Sequence, residues 1–484
     1  MSAQDQGAPA HSQWLPIADL AAKVRAGELK AADLVEQSLH TIEDKKEFNA
    51  IIAVTAERAR ERAANIDAAV QSGKETGRLA GVPFIAKDNY LVFGAETTAA
   101  SNMLRGFTAP YQATVIERLE AEGAVCVAKA NLDAFAHGGS TENSDFFTTK
   151  HPLDQARVPG GSSGGSAAAV VLDMAPFALG TDTGGSTRQP ASFVGCIGYK
   201  PTYGLLSRYG IVAMASSTDT VGTLARTTED AAFVIDVMAG RDRRDATTIE
   251  RDKQGYLDLP SSVKGKKIGI IQEWMGDGVH DGVKQVVQAA ADKLRAAGAD
   301  VQEVSLPSLP LALAVYYVVV PAEVSSNLSR YDGQRYQHAA TGAKDLDDSY
   351  TKARSEGFGP EAKRRLMIGT YVLSSGYYDA YYAKAQTVRT KIINEFQDAF
   401  QKFDFLIGPV APTPAFKIGE NASDPLQMYL SDVMTVGASL AGIPSVSVPA
   451  GLADGLPVGL QIMAAQKQDR ALLGIAKAAE GILA

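Results

Sequence analysis

The stretch 268-IGIIQEWMGDGVHDGVKQVVQAAADKLRAAGADVQEV-304 carries a strand, a helix and a second strand in succession. Ile268 to Ile271 is a short apolar run, and Val301 to Val304 reads as its partner. Between them Val283, Val287, Ala290 and Leu294 fall on one face at helical spacing. Two strands separated by a helix of this length pair in parallel, as a βαβ crossover. The fold class expected is therefore α/β: a mixed, mostly parallel central sheet covered by helices on both faces.

The alternation continues outward. Val82 to Ala86, Ala124 to Ala128 and Phe177 to Leu179 read as strands upstream; Phe405 to Ile407, Val446 to Val448 and Val458 to Ile462 read as strands downstream. Residues 1–75 read as an outer helical layer with a short strand ending at Val54, residues 76–235 as the core, and 310–400 as a tyrosine-rich helical insertion. Strands and a helix fill 401–484, and the charge-dense 241-RDRRDATTIERDKQG-255 reads as an exposed connection. Because sheet-forming sequence brackets the helical insertion, we expect one domain over 1–484, although length alone suggests about three.

Composition narrows the function. Hydrophobic residues make up 45% of the 484 and charged residues 21%, an ordinary globular balance. The formal net charge of -8 argues against nucleic acid held by the field of this chain alone. Cys126 and Cys196 stand apart, with no metal or redox spacing and no disulfide framework. The opening MSAQDQGAPAHSQ lacks the basic start and apolar core of a signal peptide, and no apolar run of about 20 residues is evident. A cytoplasmic protein is expected.

Two loops hold the chemistry: 159-PGGSSGGSAAA-169 and 180-GTDTGGSTRQPA-191. Neither is followed by the lysine of a phosphate-binding P-loop. A dinucleotide fingerprint needs a buried strand before it, and 151-HPLDQARV-158 is too polar. Gly160 to Gly164 satisfies G-x-S-x-G, but a hydrolase elbow needs the same missing strand, and only His280 and His338 follow with room for its triad order.

The two loops, with 81-GVPFIAKDN-89 upstream, resemble the signature of the amidase signature family. Val171, where a small residue is usual, and Thr187, where an aliphatic one is usual, depart from that pattern beside the reacting groups. The resemblance implies that Lys87 is the base, that Ser162 relays the proton and that Ser186 attacks an amide carbonyl. Chemistry agrees with it: a serine hydroxyl needs a base, and a lysine serves only if burial keeps it neutral. Lys87 ends the apolar run Val82 to Ala86, which places its stem in the interior. Consecutive amides of Thr183, Gly184, Gly185 and Ser186 suit a developing oxyanion, because glycines permit the backbone angles required. Asp182 and Arg188 read as bracing groups.

Elsewhere 325-SSNLSRYDGQRY-336, 355-SEGFGPEAKRRLMIGTYVLSSGYYDAYYAKAQTVR-389, 424-DPLQMYLSD-432, 438-ASLAGIPSVSVPAG-451 and 457-PVGLQ-461 resemble a branch of that family, the A subunits of tRNA-dependent glutamine amidotransferases. This likeness implies a glutaminase that passes ammonia to a partner subunit in a heterotrimer whose other members are the B and C subunits, where glutamate or aspartate misloaded on tRNA is amidated. Misacylated tRNA would be held mainly by the partner, which would also use the ATP and Mg; this chain would need no cofactor or metal of its own. Glutamine would offer its α-carboxylate to Arg365, which the residues alone do not separate from Arg364, and its α-ammonium to Asp432. The resemblance also places 137-HGGSTENS-144, with His137 and Gly138, at the substrate pocket. His137 stands where methionine is common, and a solvated side chain is expected there. Tyr316 or Tyr317 would line the pocket or belong to the core. The alternatives are a free-standing amidase acting on another small amide, and a silent scaffold subunit, against which the intact Lys87, Ser162 and Ser186 argue.

Overall fold

The computed structural model describes residues 12–336 and 338–484. The opening residues read above for a signal peptide lie mostly outside this range. Eleven strands form one sheet: β1 (Ile51–Val54), β2 (Pro83–Lys87), β3 (Val125–Ala130), β4 (Phe177–Asp182), β5 (Ile197–Lys200), β6 (Thr220–Ala225), β7 (Lys267–Ile271), β8 (Asp300–Val304), β9 (Phe405–Pro409), β10 (Ser445–Ala453) and β11 (Leu456–Met463). Their order across the sheet is β1-β3-β2-β4-β6-β5-β10-β11-β9-β7-β8.

The opening stretch forms the expected crossover. β7 and β8 are parallel with Ile268 opposite Val301, and the helix Asp281–Ala296 between them buries Val283, Val287, Ala290 and Leu294. His280 caps that helix by accepting from the amide of Gly282 at 3.2 Å. The sheet is mixed, as expected, but parallel pairing is confined to two groups, β3-β2-β4 and β9-β7-β8. Between these groups every neighbour is antiparallel, and so is β1 on β3. The expectation of a mostly parallel sheet is corrected on this point. It missed β5 and β6, whose sequences IGYK and TVGTLA lack a continuous apolar run.

Among the described residues two large apolar cores pack on the sheet, with a small third cluster around Phe193 and Phe416. One gathers Ile17, Leu20 and Val35 of the N-terminal helices with Leu472 and Leu473 of the last helix. The other gathers Val315, Val319, Ile392 and Phe396 of the helical insertion with Trp274 and Leu406. The stretch Leu309–Arg330 is, contrary to expectation, long and apolar enough by composition to cross a membrane, but half of its most apolar window is buried within the fold.

The site follows from the sheet. β2 and β4 are parallel neighbours, with Ala86 opposite Leu179, so Lys87 and Asp182 end adjacent strands at the same edge. Ligand sites in α/β sheets gather at such carboxyl ends. The loop after β4 runs into the helix Arg188–Val194, and the 159–163 loop runs into the helix Gly164–Val171.

Candidate active site

Lys87 is fully buried, and its amine meets only hydroxyls: Ser162 Oγ at 2.8 Å, Ser163 Oγ at 2.8 Å and Thr181 Oγ1 at 2.9 Å. Burial brings this amine down to about 7, against the pull of Asp133, Asp182 and Asp219. A base that is substantially neutral near pH 7 is what serine activation without histidine requires. The Gly161–Ser162 peptide is cis. Among the described residues no strand runs directly into the 159–163 loop, so the hydrolase-elbow reading finds no support in the backbone.

Ser186 is 8% exposed, and its Oγ makes no hydrogen bond among the described residues. The expected contact with Ser162 Oγ is thus not formed in this state; the loops are joined instead by Ser163 N–H donating to Ser186 O at 3.1 Å. Such contacts often tighten only when substrate arrives. The N–H groups of Thr183, Gly184, Gly185 and Ser186 find no acceptor among the described residues, which leaves them available to an anion.

Packing holds the turn rigidly. A Cβ on Gly185 (φ 142°) would lie 2.2 Å from Thr435 Oγ1, and one on Gly184 would lie 2.6 Å from the Tyr316 ring. Thr435 Oγ1 donates to Gly184 O at 2.5 Å. Asp182 and Arg188 form a fully buried bidentate pair at 2.8 and 2.9 Å, and Arg188 reaches on to Thr435 O, Gln461 and Ser439. Burial pushes the Asp182 carboxyl up, but Arg188, helped by Lys200 and the Thr187 amide, outweighs this and holds it below its ordinary value. Thr187 packs its side chain against Gly180 and Gly222, and Val171 stays at the edge of the core.

A cavity of about 140 Å³ is lined among others by Gly138, Tyr317, Arg364, Arg365, Tyr429 and Asp432, and Thr435, whose hydroxyl contacts both Gly184 O and Asp432 O, links its wall to the turn. Arg365 is 2% exposed, pairs with Glu361 at 2.8 Å and lies over the rings of Tyr317 and Tyr429. Arg364 also lines the cavity but is partly exposed and tied to the same Glu361. The Asp432 carboxyl has no hydrogen-bond donor among the described residues, and burial raises it to about 7 against the opposing pull of Arg365. The cavity thus offers a guanidinium and an uncommitted carboxyl, the two groups that free glutamine needs. Tyr317 stacks on Tyr429 in its wall, whereas Tyr316 closes on the glycine turn.

His137 differs from expectation. It is fully buried rather than solvated, neither ring nitrogen has a partner among the described residues, and burial, aided by Arg365, holds it well below its ordinary value. Its neighbour Gly138, and not the imidazole, lines the cavity.

Several contributors escaped sequence reasoning. Ser163 and Thr181 complete the shell around the amine. Asp133, raised by burial to about 6, accepts from the amides of Thr141 and Asn143. Gln189 bridges the loops, accepting from Gly161 N–H at 2.9 Å and donating to Gly139 O at 3.0 Å. A second cavity of about 230 Å³, lined by Asn89, Thr181, Thr183, Asp219 and Arg330 among others, shares no lining residue with the first.

The fold and site define a class: an amide-cleaving serine enzyme with a buried lysine among its hydroxyls. Residues 33–473 match the family model described as Amidase, and the chain belongs to that family. It is 49% identical over 468 residues, 96% of each chain, to a protein of Thermoanaerobacter pseudethanolicus named as the A subunit of glutamyl-tRNA(Gln) amidotransferase. Among solved structures, the A subunit of that name from Thermotoga maritima is 40% identical with a TM-score of 0.77, covering 93% of this chain and 91% of that one. The peptide amidase of Stenotrophomonas maltophilia is 31% identical with a TM-score of 0.84 and 97% coverage of both. Backbone shape is therefore shared across amidases of differing substrate, while sequence identity favours the amidotransferase branch.

Proposed function

We propose that this chain is the glutamine-hydrolysing A subunit of a tRNA-dependent amidotransferase. The observation that carries the reading is a buried amine ringed by hydroxyls, together with a cavity that pairs Arg365 with an uncommitted Asp432 and is joined to the glycine turn through Thr435. Identity of 49% to a protein named as such an A subunit, over nearly the full length, supports the same reading.

In this mechanism Arg365 takes the α-carboxylate of glutamine and Asp432 its α-ammonium, which drives Asp432 to its ionised form. The Lys87 lone pair accepts the Ser162 proton while Ser162 accepts that of Ser186. The Ser186 oxygen bonds to the amide carbon, and the N–H groups of residues 183–186 receive the oxyanion. Collapse returns the proton through Ser162 to the departing nitrogen, releasing ammonia and leaving a glutamyl ester on Ser186. Water, activated by the same base, then hydrolyses that ester.

Ammonia would pass to the B subunit of a cytoplasmic heterotrimer completed by the B and C subunits, where ATP and Mg are used to amidate Glu-tRNA(Gln), Asp-tRNA(Asn) or both. The other reading is a free-standing amidase, since its relatives share the backbone. Trapping with a glutamine-like electrophile and mass spectrometry should place one adduct on Ser186. Glutaminase activity should rise when the B and C subunits, ATP and charged tRNA are added. Full activity of the lone chain on simple amides, with glutamine ignored, would select the free-standing amidase instead.

A further inference from the structure

A neutral amine has two N–H donors and one lone pair, yet Lys87 contacts three hydroxyls. Only one of the three contacts can deliver a proton to nitrogen, and catalysis requires that it be Ser162. The hydrogen of Ser163 is already committed: its hydroxyl donates to Thr181 O at 3.2 Å and accepts from Thr181 N–H at 3.2 Å. Ser163 can therefore offer Lys87 only an acceptor.

Thr181 Oγ1 is approached by a second donor, Asn89 Nδ2 at 3.1 Å. With two N–H groups directed at its oxygen, its own hydrogen turns away, and Thr181 borders the 230 Å³ cavity into which that hydrogen can point. Ser162 has no other hydrogen-bonding partner for its hydroxyl among the described residues.

We infer that Ser163 and Thr181 are positioning residues that hold the two N–H groups of the Lys87 amine, so that its lone pair faces Ser162. This rests on the reading of Lys87 as the base. The two side chains also act on the protonated amine, since each is an acceptor for the ammonium. Removing either should slow acylation and also shift the proton affinity of the base downward.

The test is Thr181→Val, which keeps shape and removes the hydroxyl, with Ser163→Ala as an independent second variant and Thr181→Ser as the rescue. Acylation by glutamine is followed against pH in the assembled complex. Each removal should cut the acylation rate roughly 10–100-fold with KM little changed, the worth of a hydrogen bond to a charge-bearing group. Each should also move the acid limb of the pH profile to lower pH, and Thr181→Ser should restore both. Wild-type rates and an unshifted limb in both removals would overturn the inference, as would a loss that Thr181→Ser does not rescue. Should Lys87→Ala retain turnover, it is the base reading itself that fails; a dead Lys87→Ala beside fully active Thr181→Val and Ser163→Ala sinks the positioning role alone.

Discussion

Two lysines lie on neighbouring parallel strands, Lys87 at the end of β2 and Lys129 near the end of β3, and both are completely buried. Lys129 sits 2.7 Å from Asp88 Oδ1, an ionic contact outside hydrogen-bond alignment, and donates to Thr97 Oγ1 at 3.0 Å and Glu96 O at 3.2 Å. Lys87 meets three hydroxyls and forms no ion pair among the described residues. Burial is common to both, so burial does not by itself make a base. The partner decides: a carboxylate in contact stabilises the charged amine, whereas hydroxyls solvate it without compensating the charge. One strand thus carries an ion-paired lysine and its neighbour the amine proposed as the proton acceptor.

The largest expected effect lies downstream of that acceptor. Ser186→Ala should abolish the covalent intermediate, with no adduct at that position by mass spectrometry; turnover with the adduct intact elsewhere would remove Ser186 from the reaction. Next, Lys87→Met should cut glutaminase turnover by about 10²–10⁴-fold, the usual worth of a general base. It should not lower thermal stability, since no charged partner is orphaned and a buried amine is removed.

Lys129→Met should reverse the pattern. Asp88 would be left buried without its cation, costing about 3–5 kcal/mol of stability in denaturant titration, while turnover per folded molecule changes little. If Lys87→Met destabilises the fold more than Lys129→Met does, the contrast between the two lysines is wrong.

A smaller effect is the pH dependence. A free lysine holds its proton to about 10.5, whereas Lys87 releases it near 7, so between these values the unfolded chain binds more protons than the folded one. The Lys87 contribution to stability therefore rises with pH across that window and is flat below it. Glutamine acylation should fall as pH drops below about 7, with an acid limb that Lys129→Met does not move.

How much of this was legible in the chain depended on apolar contrast. The β7–β8 crossover stood out because β7 is an apolar run, its helix has a single buried face, and Val301 and Val304 follow at the right distance for a second strand. Lys87 could be picked as an interior lysine because it ends such a run. β5 and β6 were not legible, because Gly198, Thr220, Gly222 and Thr223 interrupt the pattern and their pairing is set by distant strands. The choice of Arg365 over Arg364 and the burial of His137 depend on which way a side chain faces after folding, which spacing does not encode. Ser163 and Thr181 carried no signal in the sequence, because a hydroxyl acquires its role only from the group it meets.

The central claim is the protonation of one amine, and it is best read directly. In protein labelled with ¹⁵N-lysine, the side-chain signal that Lys87→Met removes should titrate with a midpoint near 7. A signal that stays fully protonated through pH 9 would contradict the account, because Lys87 could then not accept the proton of Ser162 at working pH.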